Sequence, residues 1–600
     1  MFAAAGSPTL GRKGSGQEGC AAATKPRARE DAVIEEQRAG KPWLASYPPG
    51  IPAEIDVDGL GTLVDMFEAS TARYADRPAV ICFGATLRYR QLGAMSRAFA
   101  AWLQGQGIAK GDRVAIMMPN VPAYPVALFG TLLAGATVVN VNPLYTPREL
   151  AAQLNDSGAR TLVVLENFAH TVAQALQDLA LDRVVIAGPG DGLGPKGALI
   201  NLAARHIKKA VPAFRLPQGL ATRFAAALKS GRAARLRPVP VAQDDLAFLQ
   251  YTGGTTGVAK AAMLTHRNVI ANVVQSQTWF RATDPDGPER VMVTALPLYH
   301  IFALTCCFLF FIRSGGACLL IPNPRDADGF VRTLSKHRFT HMSGVNTLFN
   351  LLNNHPGFGG LDFSHLDYVV GGGMAVQKAV ATRWKEITGS TIVEGYGLSE
   401  TSPVVCANPY GLPEWSGTIG YPLPSTDVSI RNADGMPVPF GVPGELCVRG
   451  PQVMTGYWNR PDETAKVMTQ DGFFRSGDVA VMQPDGQVRI VDRMKDMILV
   501  SGFNVYPNEV EDVLALHPGI LECAVVGAPC AEAGEMVVAH VVLRDASLTV
   551  EAIRAHARAQ LTGYKVPRQV VIREALPKTN VGKVLRRALR DDSPDDSPAA

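Results

Sequence analysis

Short apolar runs rich in β-branched residues alternate with helical stretches along most of the chain. Residues 113–117 (RVAIM), 161–165 (TLVVL) and 183–187 (RVVIA) have the length and composition of buried strands. Residues 146–149 (TPRE) predict the start of a helix, because they combine a capping box with a proline suited to the first helical turn. Strands and helices in alternation predict α/β layers.

Two uncharged segments need to be distinguished from membrane-spanning helices. Residues 301–312 are too few, since a spanning helix needs about 20 apolar residues. Residues 121–147 are longer, but several prolines and glycines interrupt them. We predict that this second segment is a buried helix that leads into a buried strand at residues 136–141, and that the chain has no spanning helix.

Composition limits the classes of protein to consider. Six hundred residues predict two to four domains, and 47% apolar with 19% charged residues is typical of globular proteins. A net charge of +4 is too small to indicate a nucleic-acid partner. The nine cysteines form no CxxC pairs, so neither a disulfide framework nor a zinc site is indicated, and a cytoplasmic location is expected.

Three segments differ from the rest of the chain. Residues 1–40 lack the apolar core of a secretory signal and predict a disordered tail, as residues 591–600 do. For residues 1–40, a transit peptide and a start codon further along the chain are open alternatives. Residues 192–243 hold ten lysines or arginines and no acidic residue, with apolar residues between the charges. This basic stretch fits an anionic membrane surface and a solvated insertion equally well.

A glycine- and threonine-rich segment carries the first chemical signal. It follows the apolar residues 246–249 and consists of Thr252, Gly253, Gly254, Thr255, Thr256 and Gly257, with Lys260 close behind. Glycine lets backbone amides approach an anion, and hydroxyls and a lysine add donors, so the segment predicts a phosphate-binding loop. It is not a Walker A loop, because Ala261 follows the lysine. A flexible turn is the alternative.

Further candidates stand at the ends of strand-like runs. Residues 391–401 contain Gly395, Tyr396, Gly397, Ser399, Glu400 and Thr401. Tyr396 offers a flat face to a base, and the Glu400 carboxylate suits a magnesium ion on a phosphate. Asp478 follows in a turn, as an acceptor for ribose hydroxyls. His300 ends another strand-like run, and a lone histidine of this kind usually has a structural role. Lys583 lies in a glycine-containing loop.

The order of these motifs resembles the adenylate-forming superfamily of acyl-CoA synthetases, luciferases and nonribosomal-peptide adenylation domains. The resemblance rests on residues 251–260, 396–401, 476–478, 493–509 and 577–583, and extends from about residue 41 to 590. Within the superfamily the chain looks most like the bacterial long-chain-fatty-acid–CoA ligases. The resemblance implies a large multi-subdomain α/β adenylation domain at residues 41–492. A small mobile α+β lid domain would follow at residues 493–590.

The resemblance also implies a role for each candidate residue. The loop from Thr252 to Lys260 would hold the β- and γ-phosphates of ATP, and Thr252 and Glu400 would coordinate Mg²⁺. Tyr396 would lie against adenine, within a nucleotide-binding segment that includes Gly395, Gly397, Ser399 and Thr401. Asp478 would bind the ribose, with Arg493 nearby.

The remaining roles concern the acyl group and coenzyme A. Lys583 would orient the fatty carboxylate and the α-phosphate, and His300 would lie beside the acyl pocket. Lys495 would occupy the hinge, and Gly502 would help to form the path of the coenzyme A pantetheine. Phe302, Phe308, Phe310 and Phe311 are candidate pocket residues, although core aromatics are the simpler interpretation.

The resemblance therefore implies an ATP-dependent ligase that joins a long-chain fatty acid to coenzyme A, with peripheral contact to the inner face of the cytoplasmic membrane as an open question. Alternatives are a ligase for medium-chain or aryl acids, an adenylation enzyme that loads a carrier protein, and a non-catalytic binder. Whether the chain forms a homodimer stays open. One departure is Ala261, where the subgroup usually has glycine, and we expect its methyl to crowd the exit of the phosphate loop.

Overall fold

The computed structural model describes residues 40–252, 259–281, 289–530, 532–579 and 582–592. The predicted tails fall almost entirely outside these ranges and stay predictions. The last described helix ends at Asp591, the first residue of the predicted C-terminal tail.

The strands of the described residues are numbered in chain order. They are β1 (Pro78–Cys82), β2 (Ala85–Arg88), β3 (Arg113–Met117), β4 (Thr137–Val141), β5 (Thr161–Leu165), β6 (Arg183–Ala187), β7 (Ala221–Arg223), β8 (Leu246–Thr252), β9 (Lys260–Thr265), β10 (Val291–Thr294), β11 (Ala317–Leu320), β12 (His341–Gly344), β13 (Tyr368–Gly371), β14 (Ile392–Gly397), β15 (Val404–Ala407), β16 (Tyr421–Pro422), β17 (Asp427–Arg431), β18 (Gly444–Arg449), β19 (Phe474–Met482), β20 (Val488–Arg493), β21 (Ile498–Val500), β22 (Phe503–Val505), β23 (Ile520–Cys530), β24 (Gly534–Leu543) and β25 (Gln569–Arg573).

The α-helices are numbered in the same way. They are α1 (Leu63–Arg73), α2 (Tyr89–Gly105), α3 (Ala123–Leu133), α4 (Pro147–Ser157), α5 (Ala169–Ala175), α6 (Gly194–Leu202), α7 (Phe224–Ala233), α8 (His266–Trp279), α9 (Phe310–Arg313), α10 (Ala327–Leu334), α11 (Asn346–Asn353), α12 (Lys378–Thr388), α13 (Pro461–Val467), α14 (Pro507–Ala515), α15 (Val550–Arg558) and α16 (Arg586–Asp591). Two π-helical segments, Ala203–Ile207 and Ala303–Leu309, adjoin α6 and α9.

Local sequence signals account for several of these elements. The three predicted strands are β3, β5 and β6, with the predicted bounds. The predicted capping box opens α4: the Thr146 amide donates to Glu149 Oε2 at 2.8 Å, and the Glu149 amide donates to Thr146 Oγ1 at 3.3 Å. The same helix ends at Gly158, whose φ of +65° is accessible to glycine without strain.

Two large sheets form the N-terminal part of the molecule. The seven-stranded sheet has the order β7-β6-β5-β3-β4-β8-β9 and is parallel except at its β8–β9 edge. The nine-stranded sheet has the order β16-β15-β14-β13-β12-β10-β11-β1-β2 and is parallel from β14 to β1. The largest hydrophobic core takes side chains from both sheets and from the helices between them, such as Phe67 and Phe129, whose rings stack at 3.7 Å.

Two smaller sheets follow in the chain. β17 to β20 form an antiparallel sheet whose core includes Trp43. The last sheet has the order β22-β21-β24-β23, with β25 beside β24, and carries a separate core on each face. Val525 and Val526 point to opposite cores, as alternation along a strand requires. The predicted fold class, a large α/β region followed by a small α+β domain, is confirmed.

The uncharged segment at residues 121–147 is internal. Every residue of α3 is buried, and the chain then enters β4, which is also fully buried. This confirms the predicted buried helix and strand. Among the residues that the structure describes, no helix is both long enough and apolar enough to cross a bilayer.

Candidate active site

One cavity collects most of the predicted site residues at the carboxyl ends of parallel strands. β10, β12, β13 and β14 run in the same direction, and in such sheets ligands bind beyond the carboxyl ends of the strands. The cavity has a volume of about 600 Å³. The predicted residues in its lining are Thr252, Lys260, His300, Gly395, Tyr396, Gly397, Ser399, Glu400, Arg493 and Lys583.

The predicted phosphate loop connects β8 to β9 at the rim of this cavity. Thr252 pairs with Lys260 across the two antiparallel strands, and its hydroxyl donates to the Lys260 carbonyl at 3.3 Å. Gly253, Gly254, Thr255, Thr256 and Gly257 lie outside the described residues. The paired strands thus fix the two ends of the loop and direct Lys260 into the cavity.

Lys260 has partners that the sequence did not indicate. Its ammonium pairs with the Glu463 carboxylate and lies 5.3 Å from the centre of the Tyr457 ring. The Tyr457 hydroxyl in turn donates to Glu400 Oε1 at 2.8 Å. No spacing or motif in the sequence connects Tyr457 or Glu463 to the loop, because both come from the segment that precedes and begins α13.

Glu400 is a buried carboxylate that faces the cavity. Its side chain is 8% exposed, and burial raises its pKa above the usual range. A nearby cation would stabilise the ionised form. Carboxylate and hydroxyl oxygens suit Mg²⁺, and Glu400 and Thr252 both line the cavity. The part of the chain described here has no cluster of three His, Cys, Asp or Glu residues suited to a metal. The residues therefore fit an ion that takes its remaining ligands from phosphate and water.

Tyr396 and Arg493 flank the buried Asp478 carboxylate at one wall, and we call these three residues the triplet. The Tyr396 hydroxyl donates to Asp478 Oδ2 at 2.5 Å, and Arg493 Nε lies 3.0 Å from Asp478 Oδ1. Asp478 is 3% exposed and lies directly behind the two residues that line the cavity. β19 and β20 pair Asp478 with Arg493, which explains why residues this far apart in the chain meet.

Lys583 enters the cavity from the small domain. Its amide donates to Thr579 Oγ1 at 3.1 Å, and the preceding carbonyl, of Gly582, accepts from Thr347 Oγ1 at 2.8 Å. Gly373, at φ +77°, lies beside this side chain: a Cβ there would be in van der Waals contact with Lys583 Cε at 3.4 Å. Burial, reinforced by the nearby Arg493, lowers the pKa of Lys583 to about 8.

His300 stands beside this lysine as a neutral imidazole. Burial, with a further contribution from Lys583, lowers its pKa to about 3. Its Nδ1 accepts from the Phe302 amide at 3.4 Å. His300 therefore offers the cavity a polar but uncharged group near Lys583.

Comparison with known proteins agrees with this geometry. The profile of a family described as AMP-binding enzyme matches residues 67–458, and the profile of the AMP-binding enzyme C-terminal domain matches residues 509–583. The chain belongs to the AMP-binding enzyme family.

Relatives of this AMP-binding enzyme include curated proteins and solved structures. A long-chain-fatty-acid–CoA ligase of Yersinia pestis is 55% identical over 554 residues, which are 92% of this chain and 98% of the relative. A feruloyl-CoA synthase of Amycolatopsis is 36% identical, with 84% of this chain and 94% of the relative covered. ATP-bound MatB from Rhodopseudomonas palustris has a TM-score of 0.75 at 28% identity, with 88% and 98% covered.

Besides Asp478, three predicted residues that the structure describes in this AMP-binding enzyme lie outside the cavity lining. The Thr401 hydroxyl is used within its own turn, where it accepts from the Leu398 amide at 3.0 Å and donates to the Pro403 carbonyl. Lys495 is exposed in the turn after β20. Gly502 is exposed at φ +85°, with open space where a Cβ would stand. Neither of the last two reaches the cavity in this arrangement of the two domains.

The methyl group of Ala261 does not lie where we expected. It is fully buried in β9, within the core on the outer side of the seven-stranded sheet. Its carbonyl accepts from the Trp458 amide at 2.9 Å. The expectation of a crowded loop exit is wrong, because the methyl packs into this core.

Part of the cavity lining, which we call the apolar half, is largely aromatic. Phe302, Phe310 and Phe311 line it, as the sequence suggested for a pocket, whereas Phe308 belongs to the hydrophobic core. The π-helical segment Ala303–Leu309 lies along this half of the cavity and contributes Cys306 to its lining. The cavity lining therefore combines the polar groups described above with this apolar half.

Proposed function

We propose that this AMP-binding enzyme activates a long-chain fatty acid with ATP and transfers the acyl group to coenzyme A. The observation that carries the proposal is that one cavity is lined both by Lys583 and Glu400 and by aromatic side chains such as Phe302. The name of the Yersinia pestis relative supports the same substrate class. The similarity to ATP-bound MatB supports ATP as the nucleotide.

The chemistry explains why this set of side chains suffices. A fatty carboxylate is a poor acyl donor, because its leaving group would be oxide. Attack of a carboxylate oxygen on the α-phosphorus of ATP forms a P–O bond, breaks the bond to pyrophosphate and leaves an acyl-adenylate. The thiolate of coenzyme A then attacks the acyl carbon, and AMP departs with the electrons of the C–O bond. Neither step needs a nucleophile from the protein.

In this proposal the polar end of the cavity binds the nucleotide. Lys260 and the loop before it would contact the β- and γ-phosphates. Tyr396 would lie against adenine, and Asp478 with Arg493 would hold the ribose. Thr252 and Glu400 would hold Mg²⁺, which when bound neutralises phosphate charge.

Lys583 would act at the reacting atoms themselves. As a protonated ammonium it would bind both the fatty carboxylate and the α-phosphate, and so hold the nucleophile in line and stabilise the developing charge. The neutral His300 would contribute no competing charge beside it. The adjoining aromatic surface would bury the alkyl chain.

We further propose a domain boundary near residues 492 and 493, between an adenylation domain at residues 41–492 and a lid at residues 493–590. β20 ends at this point, and Lys495 lies in the exposed turn that follows. A pivot at this turn would withdraw Lys583 and bring Gly502 to the path of the coenzyme A thiol. Two half-reactions would then use two orientations of one lid.

The substrate class is tested by pyrophosphate and AMP release from purified protein with ATP, Mg²⁺ and coenzyme A. We expect coenzyme A-dependent turnover that rises from acetate through octanoate to hexadecanoate, because each methylene buried in the apolar half contributes about 0.8 kcal/mol. Turnover confined to ferulate or coumarate would instead support an aryl acid ligase, as the Amycolatopsis relative suggests. Adenylation without transfer to coenzyme A would indicate a carrier protein, and no turnover would contradict the proposal.

We also propose that part of the basic stretch rests on the anionic inner face of the cytoplasmic membrane. On α6 and the π-helical segment after it, Leu199, Leu202 and Ile207 are 66%, 54% and 79% exposed. Lys208 and Lys209 follow directly, and no carboxylate among the described residues lies within ion-pair distance of either. Exposed apolar side chains beside unpaired cations suit an interface of acyl chains and anionic headgroups.

Other cations of this stretch have structural roles. Arg205 and Arg223 pair with Glu166 at 2.7 and 2.8 Å, and this carboxylate is almost fully buried. The two arginines therefore anchor the stretch to the seven-stranded sheet. The membrane proposal therefore concerns only the exposed apolar side chains and the two lysines within residues 199–209. The homodimer stays a prediction, because the described residues belong to one chain.

The double variant Leu202→Ser with Ile207→Ser should reduce binding to phosphatidylglycerol vesicles by at least about tenfold, because full burial of each apolar side chain contributes about 1.5–3 kcal/mol. Cosedimentation at low and high salt measures this, and the wild type should bind anionic vesicles more weakly at high salt. Leu516→Ser is a matched control, since Leu516 is 47% exposed on the small domain. Equal loss in the control, or no binding by the wild type, would contradict the proposal.

A further inference from the structure

Helix α11 presents two polar side chains to the small domain. Its buried face, with Leu348, Phe349 and Leu352, packs into the core of the large region. Thr347 and Asn350 are only half-buried. A spacing of three residues makes them neighbours on the helix surface, so they form one polar patch.

Both side chains donate hydrogen bonds across the domain boundary. Thr347 Oγ1 donates to the carbonyl of Gly582 at 2.8 Å, and Asn350 Nδ2 donates to the carbonyl of Leu521 at 3.2 Å. The two acceptors belong to separate parts of the small domain, the loop that carries Lys583 and strand β23. Bonds at two separate points define an orientation of the domain, whereas a single bond would allow rotation about it.

The surroundings of each bond favour this pairing. Asn354 Nδ2 donates to Asn350 Oδ1 at 2.9 Å, which leaves the amide nitrogen of Asn350 to face Leu521. Opposite Thr347, Gly582 has a φ of +83°, which favours glycine, and a Cβ there would lie 2.9 Å from Thr347 Oγ1. A side chain at position 582 would therefore strain the backbone and displace the threonine hydroxyl.

We propose that Thr347 and Asn350 form a latch that holds the small domain in the orientation required for adenylation, so that Thr347 is a positioning residue for Lys583. The inference rests on the proposed ligase function and assigns residues to the switch between its two half-reactions. Both bonds join the two domains, so a pivot that withdraws Lys583 must break them. Their loss should favour the orientation in which the acyl group is transferred to coenzyme A.

The strength of the latch suits a contact that must open in every turnover. Each bond joins two neutral groups, and loss of one such bond changes an equilibrium by about three- to tenfold. Two of them are strong enough to bias the orientation of the domain and weak enough to break once in each catalytic cycle.

The test measures the two half-reactions separately in Thr347→Val, which removes the hydroxyl and keeps the branched shape. Fatty-acid-dependent exchange of labelled pyrophosphate into ATP should fall about three- to tenfold, because fewer molecules hold Lys583 in the cavity. Transfer of the acyl group from supplied hexadecanoyl-adenylate to coenzyme A should stay the same or rise. A merely destabilised protein would lose both activities together. Thr347→Ser, which keeps the donor, should restore exchange.

Asn350→Ala distinguishes a latch from a local effect on the loop of Lys583. Leu521 belongs to β23 and not to this loop, so loss of its bond should act through the orientation of the whole domain. Exchange should therefore fall in this variant as well, and transfer should not.

Thr333→Val is the matched control. Thr333 is another half-buried threonine on a helix of the large region, but its hydroxyl donates to the Gly329 carbonyl within α10 at 2.7 Å. The ratio of exchange to transfer should be the same in this variant as in the wild type.

The outcomes separate the latch from the function beneath it. The inference would be overturned if exchange in Thr347→Val kept the wild-type rate, fell together with transfer, or was not restored by Thr347→Ser. A loss of exchange in Thr347→Val but not in Asn350→Ala would also overturn it, because the hydroxyl would then position Lys583 locally without a latch. Absence of both half-reactions in the wild type with every long-chain acid would instead contradict the proposed ligase activity.

Discussion

Lys583→Ala should lower the rate of acyl-adenylate formation by about 10²–10³-fold, because removal of one preorganised donor to a developing anion has an effect of this size. The lysine is the group that the small domain supplies to the cavity lining. ATP should still bind, since Lys260, Tyr396 and Asp478 are untouched. Fatty-acid-dependent exchange of labelled pyrophosphate into ATP measures the first effect, and calorimetric titration with ATP measures the second.

Lys578→Ala is the matched control for this variant. Lys578 lies five residues earlier on the same domain, and its Nζ pairs with Glu522 at 2.7 Å, so its loss should not change the exchange rate. The pKa of Lys583 gives an independent readout. Because burial and Arg493 lower this pKa to about 8, and the protonated form acts, exchange by the wild type should decline as the pH rises through about 8. Equal exchange by wild type and Lys583→Ala would contradict the role, since a non-catalytic binder would be indifferent to this substitution.

Asp478→Asn should raise the KM for ATP by about 10- to 100-fold, because hydrogen bonds to a charged group contribute about 1.5–3 kcal/mol. The substitution keeps the shape of the side chain, removes the charge that faces Arg493 and changes the acceptor of the Tyr396 hydroxyl. The side chains of the wall that we assign to the nucleotide should then no longer be held in place. Initial rates at varied ATP and saturating fatty acid measure the change.

The effect of Asp478→Asn should be confined to the nucleotide. The KM for the fatty acid should stay within about twofold, because the proposal assigns the triplet to the nucleotide alone. Asp182→Asn is the control: Asp182 pairs with Arg160 at 2.7 Å on the surface, where such pairs contribute about 0–1 kcal/mol. Parallel loss for both substrates would indicate general misfolding and would contradict a specific nucleotide role.

Much of the fold could be predicted from local sequence. β3, β5 and β6 follow directly from β-branched composition, and α4 follows from its capping box. These signals lie within a few residues of each other, so they do not depend on the rest of the chain. Sheet order depends on which distant strands pair, and the sequence pattern carries no such information.

The site shows the same division. The residues that carry motifs, such as Tyr396, Glu400 and Lys583, line one cavity, as the resemblance implied. Tyr457 and Glu463 were not predicted, because they reach Lys260 only after β9 has paired with the chain around Tyr457.

Thr401 has a role that its motif did not reveal. Its position in a motif suggested a ligand contact, but its hydroxyl is used by the local turn.

The separate hydrophobic cores have a consequence for thermal denaturation. The two cores of the last sheet share no residues with those of the large region. Cooperativity is strongest within a continuous core, so heating should melt the small domain and the large region in distinct transitions rather than in one two-state step. A single melting temperature would then describe neither unit. A ligand that binds only the large region would shift one transition and leave the other in place.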